Sequence, residues 1–155
     1  PAYFARIKSC NYLPNVLMEK EAVDKGVDFT VSLDEEGRIG EGPTESFALV
    51  TQEGEFLAPR FERILRGTTI TRMLELAEPL VREGILSGVR ETDLWPRDLA
   101  RAREVMVLGT TLDVLPILAF QDRPVADGLP GPIYSRFRQM LLQDMSEGSD
   151  ARPPL

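Results

Sequence analysis

The distribution of apolar and polar residues along the chain predicts helices that pack on a strand-rich middle. Residues 13–25 have a helix-like pattern that ends at Gly26, a residue type that commonly terminates helices. Short β-rich stretches follow, the first of which, residues 28–33, alternates between apolar and polar residues, and turn-forming residues separate them. They predict four strands in two hairpins, at residues 28–33, 38–41, 47–51 and 55–58.

The second half of the chain predicts two longer helices and several short elements. An amphipathic helix is expected over residues 71–83, because apolar residues recur there at helical spacing. A final helix is expected from Pro132 to about Asp144. Between them we expect a strand at 85–89, a turn and short helix at 93–102, a strand at 105–108, and a strand at 114–120 that Pro116 interrupts.

Length and composition indicate one ordinary globular domain. The 155 residues suffice for a hydrophobic core, and the 43% apolar and 28% charged content is typical of such domains. We therefore expect a mixed α+β domain over residues 1–145 and a flexible polar tail over residues 146–155. No apolar run predicts a membrane span and no secretory signal is visible, and the single cysteine, Cys10, favours a reducing compartment such as the cytoplasm.

Charge and the absence of histidine narrow the possible functions. The net charge of −7 disfavours nucleic acid and membranes as partners, because neutralising phosphates needs clustered Lys and Arg. Without histidine, the Ser-His-Asp and Cys-His nucleophile systems and imidazole metal ligands are excluded. We therefore expect no metal site, and proton chemistry would use Lys, Tyr, Asp or Glu.

Lys8 and Glu41 carry the most specific candidate chemistry. A lysine amine can hold an aldehyde cofactor as a Schiff base, and a carboxylate can hold the ring nitrogen of that cofactor. These two groups are the minimum that pyridoxal-phosphate (PLP) chemistry requires. Taken alone, each residue is more typical of a solvated surface charge than of a site.

Two segments rich in Gly and Thr have the composition of phosphate-binding turns. Residues 65–72, LRGTTITR, open a predicted helix, and residues 109–111, GTT, follow a predicted strand. The first turn of a helix binds phosphate through its free N–H groups and the helix dipole. Each segment alone is more often a helix cap or an ordinary turn.

Five motifs occur in a fixed order between about Ile7 and Met145. They are IKSCNYL, LDEEGRIGEGP, LRGTTITR, EVMVLGTTLDVLPI and DGLPGPIYSRF. This ordered set resembles the class IV, fold-type IV, PLP-dependent aminotransferases, which include branched-chain aminotransferase, D-amino acid aminotransferase and aminodeoxychorismate lyase. The resemblance implies the PLP-binding large domain of that fold, a strand-rich pseudo-barrel with packed helices.

The resemblance also implies roles for individual residues. Lys8 would form the Schiff base with PLP and then move the proton during catalysis, and Glu41 would face the pyridine nitrogen. Tyr12 would hydrogen-bond the ring oxygen, and Leu65 would pack on the ring face. The phosphate would be held at two places by Ile70, Thr71, Thr110 and Thr111.

The chain departs from the family pattern at two points near the site. Two extra residues separate Gly67 from Ile70, so Thr68 and Thr69 are the alternative phosphate-binding residues. Ser46 stands where the family often has Asn.

The function that the resemblance implies is ping-pong transfer of an amino group between an amino acid and a 2-keto acid. We expect a homodimer, and an N-terminal small domain in the complete protein without which the chain is poorly active. Two alternatives remain open, namely a PLP-dependent lyase of the aminodeoxychorismate lyase type and a non-catalytic relative that acts in association.

Overall fold

A computed structural model describes residues 7, 10–62 and 64–150, with the backbone alone at residues 149 and 150. The described part of the chain has a strand-rich middle with helices before, between and after the strands, as the hydrophobic pattern predicts. In order, the elements are α1 (Leu13–Lys25), β1 (Ser46–Val50), β2 (Glu55–Pro59), α2 (Thr68–Arg82), β3 (Gly88–Thr92), α3 (Pro96–Arg101), β4 (Glu104–Gly109), β5 (Asp113–Ile117), β6 (Ala119–Phe120), β7 (Arg123–Pro124) and α4 (Pro132–Asp150).

Five of the strands form one sheet in the order β3-β2-β1-β4-β5, and β6 and β7 form a separate ribbon. Only the β2–β3 pair is parallel among the named pairs; β1 runs antiparallel to both neighbours. In the β1–β4 pair, Ser46 lies opposite Leu108 and Val50 lies opposite Glu104. The start of β1 and the end of β4 are therefore at the same end of the sheet.

Both faces of the sheet are covered, which makes its central strands continuously apolar. Ala48 and Val50 face one core cluster, which α2 and α4 complete, and the rings of Phe56 and Phe137 pack there with centroids 4.7 Å apart. Side chains on the opposite face of β1 belong to a second cluster, completed by α3 and the segment before β1. Both residues of β1 on that face are buried, namely Phe47 and Leu49.

The predicted mixed α+β fold is confirmed, and several elements lie within one residue of their expected bounds. Helix α1 ends where expected because Gly26 adopts a left-handed backbone (φ 65°) and its N–H bonds the carbonyls of Ala22 and Val23. The strands expected at 47–51, 55–58 and 105–108 are β1, β2 and β4. Among the described residues, no helix combines the length and apolarity that crossing a membrane requires.

The prediction that residues 28–33 and 38–41 form a regular two-stranded hairpin is wrong. Only an isolated bridge between Leu33 and Ile39 is present. The pairing is interrupted because Ser32 bonds two successive residues: its N–H donates to the Glu41 carbonyl and its carbonyl accepts from Gly40. Two residues opposite one are the arrangement of a β-bulge.

Two elements begin later or earlier than the pattern predicts. Helix α2 starts at Thr68, three residues before the expected start, because Ile70 is fully buried and its packing outweighs the low helix propensity of β-branched residues. The strand expected at 85–89 is β3 at Gly88–Thr92, whose position is set by its parallel register with β2.

Two expectations for the C-terminal third are also corrected. Pro116 does not interrupt its strand, because β5 is an edge strand and a missing N–H is tolerated there. Helix α4 continues beyond Asp144 to Asp150, supported by the pair Gln143–Glu147 one turn apart. The residues 146–150 of the expected tail are therefore helical, and residues 151–155 lie outside the described part of the chain.

Candidate functional site

Three segments that carry predicted site residues meet at one end of the β1–β4 pair. The loop 41–45 leads into β1, and the turn 110–112 follows β4 at the same end. Gly67, which precedes α2, lies against the start of β1, since a Cβ atom at Gly67 would be 3.1 Å from Ser46 Oγ. The sheet therefore brings together segments that are far apart in the sequence.

Glu41 is held through both its backbone and its side chain. Its N–H donates to Ser32 Oγ at 3.0 Å, and its carbonyl accepts the Ser32 N–H at 2.9 Å and the Ser32 hydroxyl at 2.8 Å. Its carboxylate Oε2 accepts the backbone N–H of Leu65 at 3.3 Å. The half-buried carboxylate therefore points toward the segment that opens α2.

Leu65 and Gly67 form a tight turn between Glu41 and α2. The N–H of Gly67 donates to the Leu65 carbonyl at 2.9 Å, so the backbone of Leu65 is bonded on both sides. Gly67 is extended (φ −63°, ψ 142°) and caps the helix without a side chain. Besides Ser46 Oγ, a Cβ atom there would meet Ile70 Cγ2 at 3.3 Å, so a larger residue would require both side chains to shift slightly.

The first turn of α2 presents backbone N–H groups at the end of the helix. Thr68, Thr69 and Ile70 occupy the first three helical positions, where N–H groups have no partner within the helix. Thr71 makes its hydrogen bonds within the helix, because its N–H and its hydroxyl both donate to the Gly67 carbonyl, at 3.1 and 2.8 Å. Three consecutive N–H groups and the positive end of the dipole are therefore directed toward the same region.

A cleft of about 790 Å³ lies beside this helix end. Thr68, Thr69 and Thr110 line it, together with side chains of α4. Thr111, the next residue of the same turn, is exposed. The cleft thus joins two of the predicted phosphate-binding segments and adds hydroxyl groups to the amides of the helix end.

Arg72 and Asp144 join α2 to α4 across the cleft. Arg72 Nε donates to Asp144 Oδ2 at 2.9 Å, and the same guanidinium contacts Glu75. These side-chain hydrogen bonds, donated to Asp144 and to Glu75 with Asp144 the larger cause, raise the pKa of Arg72 above its ordinary value. The hydrogen bond from Arg72 lowers the pKa of Asp144. The cation in this cleft is therefore already paired with two carboxylates.

Of the remaining predicted site residues, one is not described and the other is exposed beside α1. Lys8 lies outside the described residues. Tyr12 immediately precedes α1 and its side chain is 46% exposed. Helix α1 itself contacts the Glu41 loop, because Asn15 Nδ2 donates to the carbonyl of Pro43.

Sequence reasoning missed three residues that shape the loop around Glu41. Ser32 and Asn15 contact it as described above, and Glu45 is 6% exposed, with its carboxylate accepting the hydroxyl of Thr44 at 2.9 Å. Gly40, next to Glu41, could have indicated the contact with Ser32. An isolated Gly in a strand pattern often marks a bulge, and Ser32 lies opposite this one.

Comparisons with known proteins agree on one family. The model of the family described as amino-transferase class IV matches residues 1–120. The D-amino-acid transaminase, chloroplastic, of Arabidopsis thaliana is 39% identical over 149 residues, which are 96% of this chain and 40% of that protein.

Solved structures with similar folds are also named as aminotransferases. The branched-chain amino acid aminotransferase from Escherichia coli superposes with a TM-score of 0.78 at 32% identity, covering 85% of this chain and 43% of that chain. The enzyme of that name from Thermobaculum terrenum, solved in its PLP-form, gives a TM-score of 0.81 at 27% identity, covering 93% and 46%. The chain therefore spans less than half the length of each of these relatives.

Proposed function

The chain belongs to the amino-transferase class IV family, and from this premise we propose that it is the cofactor-binding part of a PLP-dependent aminotransferase. The protein would move an amino group between an amino acid and a 2-keto acid. One observation carries the proposal: the carboxylate of Glu41 is fixed at the N–H of Leu65, one tight turn before the exposed helix end at Thr68. The turn at Leu65 thus holds both the carboxylate that would bind the ring nitrogen and the helix end that would bind the phosphate.

The residues present fit PLP on chemical grounds. Its phosphate is dianionic, and the N–H groups of Thr68, Thr69 and Ile70 stand at the positive end of a helix. Its ring nitrogen needs an anionic partner, which Glu41 provides. When bound, PLP supplies an electron sink for charge that develops at the α-carbon of the amino acid.

For the phosphate site we favour Thr68 and Thr69 over Thr71. Both line the cleft with Thr110, and their N–H groups are not used by the helix. Thr71 instead donates twice to Gly67, so its part is to hold the turn. Ile70 contributes a backbone N–H only, because its side chain is fully buried.

The remaining roles follow the family pattern. We propose that Lys8 is the nucleophile and carries the proton between reacting atoms through its Nζ, while Glu41 keeps a proton on the ring nitrogen. Leu65 would pack on the ring, Tyr12 would reach the ring oxygen, and Thr111 would add to the turn that Thr110 begins. A homodimer and a further domain that completes the substrate pocket are part of the same proposal.

A trapping experiment tests the cofactor and the lysine together. The full-length protein is mixed with PLP, the visible absorption band of lysine-bound PLP is recorded, and borohydride is added before peptide mass mapping. The sequence has three lysines, Lys8, Lys20 and Lys25, so the modified peptide identifies the nucleophile. We expect the label on Lys8, no band in Lys8→Ala, and an unchanged band in Lys20→Ala, the matched control at an exposed site.

A half-reaction tests the activity. Addition of an amino acid alone should bleach the band, and a 2-keto acid should restore it. No band in the wild-type protein, or a label on Lys20 or Lys25, would overturn the proposed function. Consumption of the amino acid over many turnovers without an added keto acid would indicate a lyase instead.

A further inference from the structure

A β-bulge holds the backbone of Glu41. Gly40 and Glu41 stand together opposite Ser32, whose carbonyl accepts the Gly40 N–H at 2.8 Å. A bulge rotates the residues that follow it relative to a regular strand. The direction in which Glu41 points is therefore set at this position rather than by a continuous ladder.

The hydroxyl of Ser32 replaces part of the missing ladder. It accepts the N–H of Glu41 and donates to the carbonyl of the same residue, at 3.0 and 2.8 Å. Both backbone polar groups of Glu41 are thus bonded to one side chain. A small rotation of this backbone would move the carboxylate away from Leu65, whose N–H is at 3.3 Å.

Gly40 and Ser32 are matched in size. A Cβ atom at Gly40 would lie 2.5 Å from Ser32 Oγ, well inside contact distance, whereas the next atoms are the Ser32 carbonyl oxygen at 3.3 Å and Cβ at 3.6 Å. The glycine is therefore required by the hydroxyl itself and much less by the rest of Ser32.

We propose that Ser32 is a positioning residue that, through the Gly40–Glu41 bulge, aims the Glu41 carboxylate at the ring nitrogen of the cofactor. This inference rests on the proposed function. Ser32 is neutral and contacts the backbone of Glu41, so its removal leaves the charge of Glu41 in place and relaxes its direction. Its effect is specific to a ligand that has a ring nitrogen for Glu41 to bind.

The experiment compares PLP with its analogue in which carbon replaces the ring nitrogen. Dissociation constants for both are measured with the full-length protein and with Ser32→Ala, Ser32→Thr and Ser87→Ala, the last a matched loss of hydroxyl at an exposed serine. We expect Ser32→Ala to weaken PLP about tenfold, equal to about 1.4 kcal/mol, and the analogue less than about twofold. Ser32→Thr, which keeps the hydroxyl, and Ser87→Ala should bind PLP as the wild type does.

A double variant tests the matched pair. Gly40→Ala should weaken PLP binding in the presence of Ser32, and should add little in the Ser32→Ala background, because the clashing oxygen is then absent. Thermal melting of the proteins without cofactor shows which variants fold. The ratio of the dissociation constants for PLP and the analogue is compared only among those variants.

The outcomes separate the two proposals. Three results would overturn the role of Ser32 while the proposed function stands. Ser32→Ala could weaken the binding of both ligands equally, or it could bind PLP as the wild type does. The effects of the Gly40 and Ser32 substitutions on PLP binding could also simply add. If the wild-type protein does not bind PLP, the proposed function falls, and the role of Ser32 falls with it.

Discussion

The carboxylate of Glu104 caps the final helix from a neighbouring strand, because its Oε2 accepts the backbone N–H of Tyr134 at 2.7 Å. Its Oε1 accepts the N–H of Ile133 at 3.0 Å. Glu104 is the first residue of β4 and is only 5% exposed. Since the first N–H groups of a helix lack partners and carry partial positive charge, this carboxylate stabilises the start of α4 and holds it on the sheet.

Replacement of Glu104 by Ala should therefore destabilise the fold. Two N–H groups would lose a charged acceptor in a buried place, and we expect the free energy of unfolding to fall by about 2 kcal/mol. Urea unfolding followed by far-UV circular dichroism measures the change. Glu53→Ala, at an exposed turn residue, is the control; equal unfolding midpoints for the two variants would contradict the capping role.

Gly131 should tolerate no side chain while Glu104 is present. A Cβ atom there would lie 2.0 Å from the carboxyl carbon of Glu104, so Gly131→Ala should cost about 1–3 kcal/mol as an overpacking change. Gly148→Ala, where a Cβ would meet nothing within 4 Å, should be neutral or stabilise α4 by up to about 1 kcal/mol. Thermal melting compares them, and the Gly131→Ala penalty should shrink in the Glu104→Ala background; a penalty that stays the same would show that Glu104 is not its cause.

The pair between Arg72 and Asp144 should make stability depend on acidic pH. The hydrogen bond from Arg72 lowers the pKa of Asp144 in the folded state. A carboxyl with a lowered folded pKa adds stability above its unfolded pKa of about 3.9, and this stability is lost as pH falls through the folded pKa.

Asp144→Asn removes that contribution. Because the pair is partly exposed, with side chains 46% and 28% accessible, we expect a loss of at most about 1 kcal/mol at pH 7. The difference from wild type should vanish as the pH is lowered from about 4 toward 2, as measured by urea unfolding across that range. Asp24→Asn, which breaks the more exposed pair with Lys20, should show a smaller effect; a loss at Asp144 that does not vary with pH would argue against an ionic origin.

Thr110→Val tests the phosphate site of the proposed function. Thr110 lines the cleft together with Thr68 and Thr69, and the loss of its hydroxyl should weaken PLP about tenfold, as expected for one hydrogen bond to a charged group. Pyridoxal, which lacks the phosphate, should bind the variant and the wild type alike. Thr92→Val, in β3 at the other edge of the sheet, is the matched control, and equal losses for PLP and pyridoxal would place Thr110 away from the phosphate.

Local chemistry allowed much of the fold to be predicted from the sequence. Helix α1 was predicted to the residue because its pattern is helix-like and Gly26 ends it. The strands at the centre of the sheet were predicted because they are apolar along their length.

The errors arise where distant residues decide the local structure. The strand expected at 28–33 failed because Ser32 bonds Glu41 across a bulge, and the start of α2 was misplaced because burial of Ile70 outweighs local propensity. Likewise, Glu41 and Leu65 were each predicted as site residues from the family pattern, but their direct contact depends on the register of the sheet. A single sequence does not encode that register in any local signal.

The burial of β1 implies that the two sides of the proposed site exchange amide hydrogens with solvent on different timescales. Strand β1 is buried throughout and is paired on both edges, so its amides are released only when the whole sheet opens. The loop that carries Glu41 is anchored directly to this strand. Helix α1, which follows Lys8, buries only Ala22 among its residues and exposes Leu13, Val16 and Leu17, so it opens at much lower cost. Opening of α1 would therefore come first, while the strand that anchors the Glu41 loop stays folded.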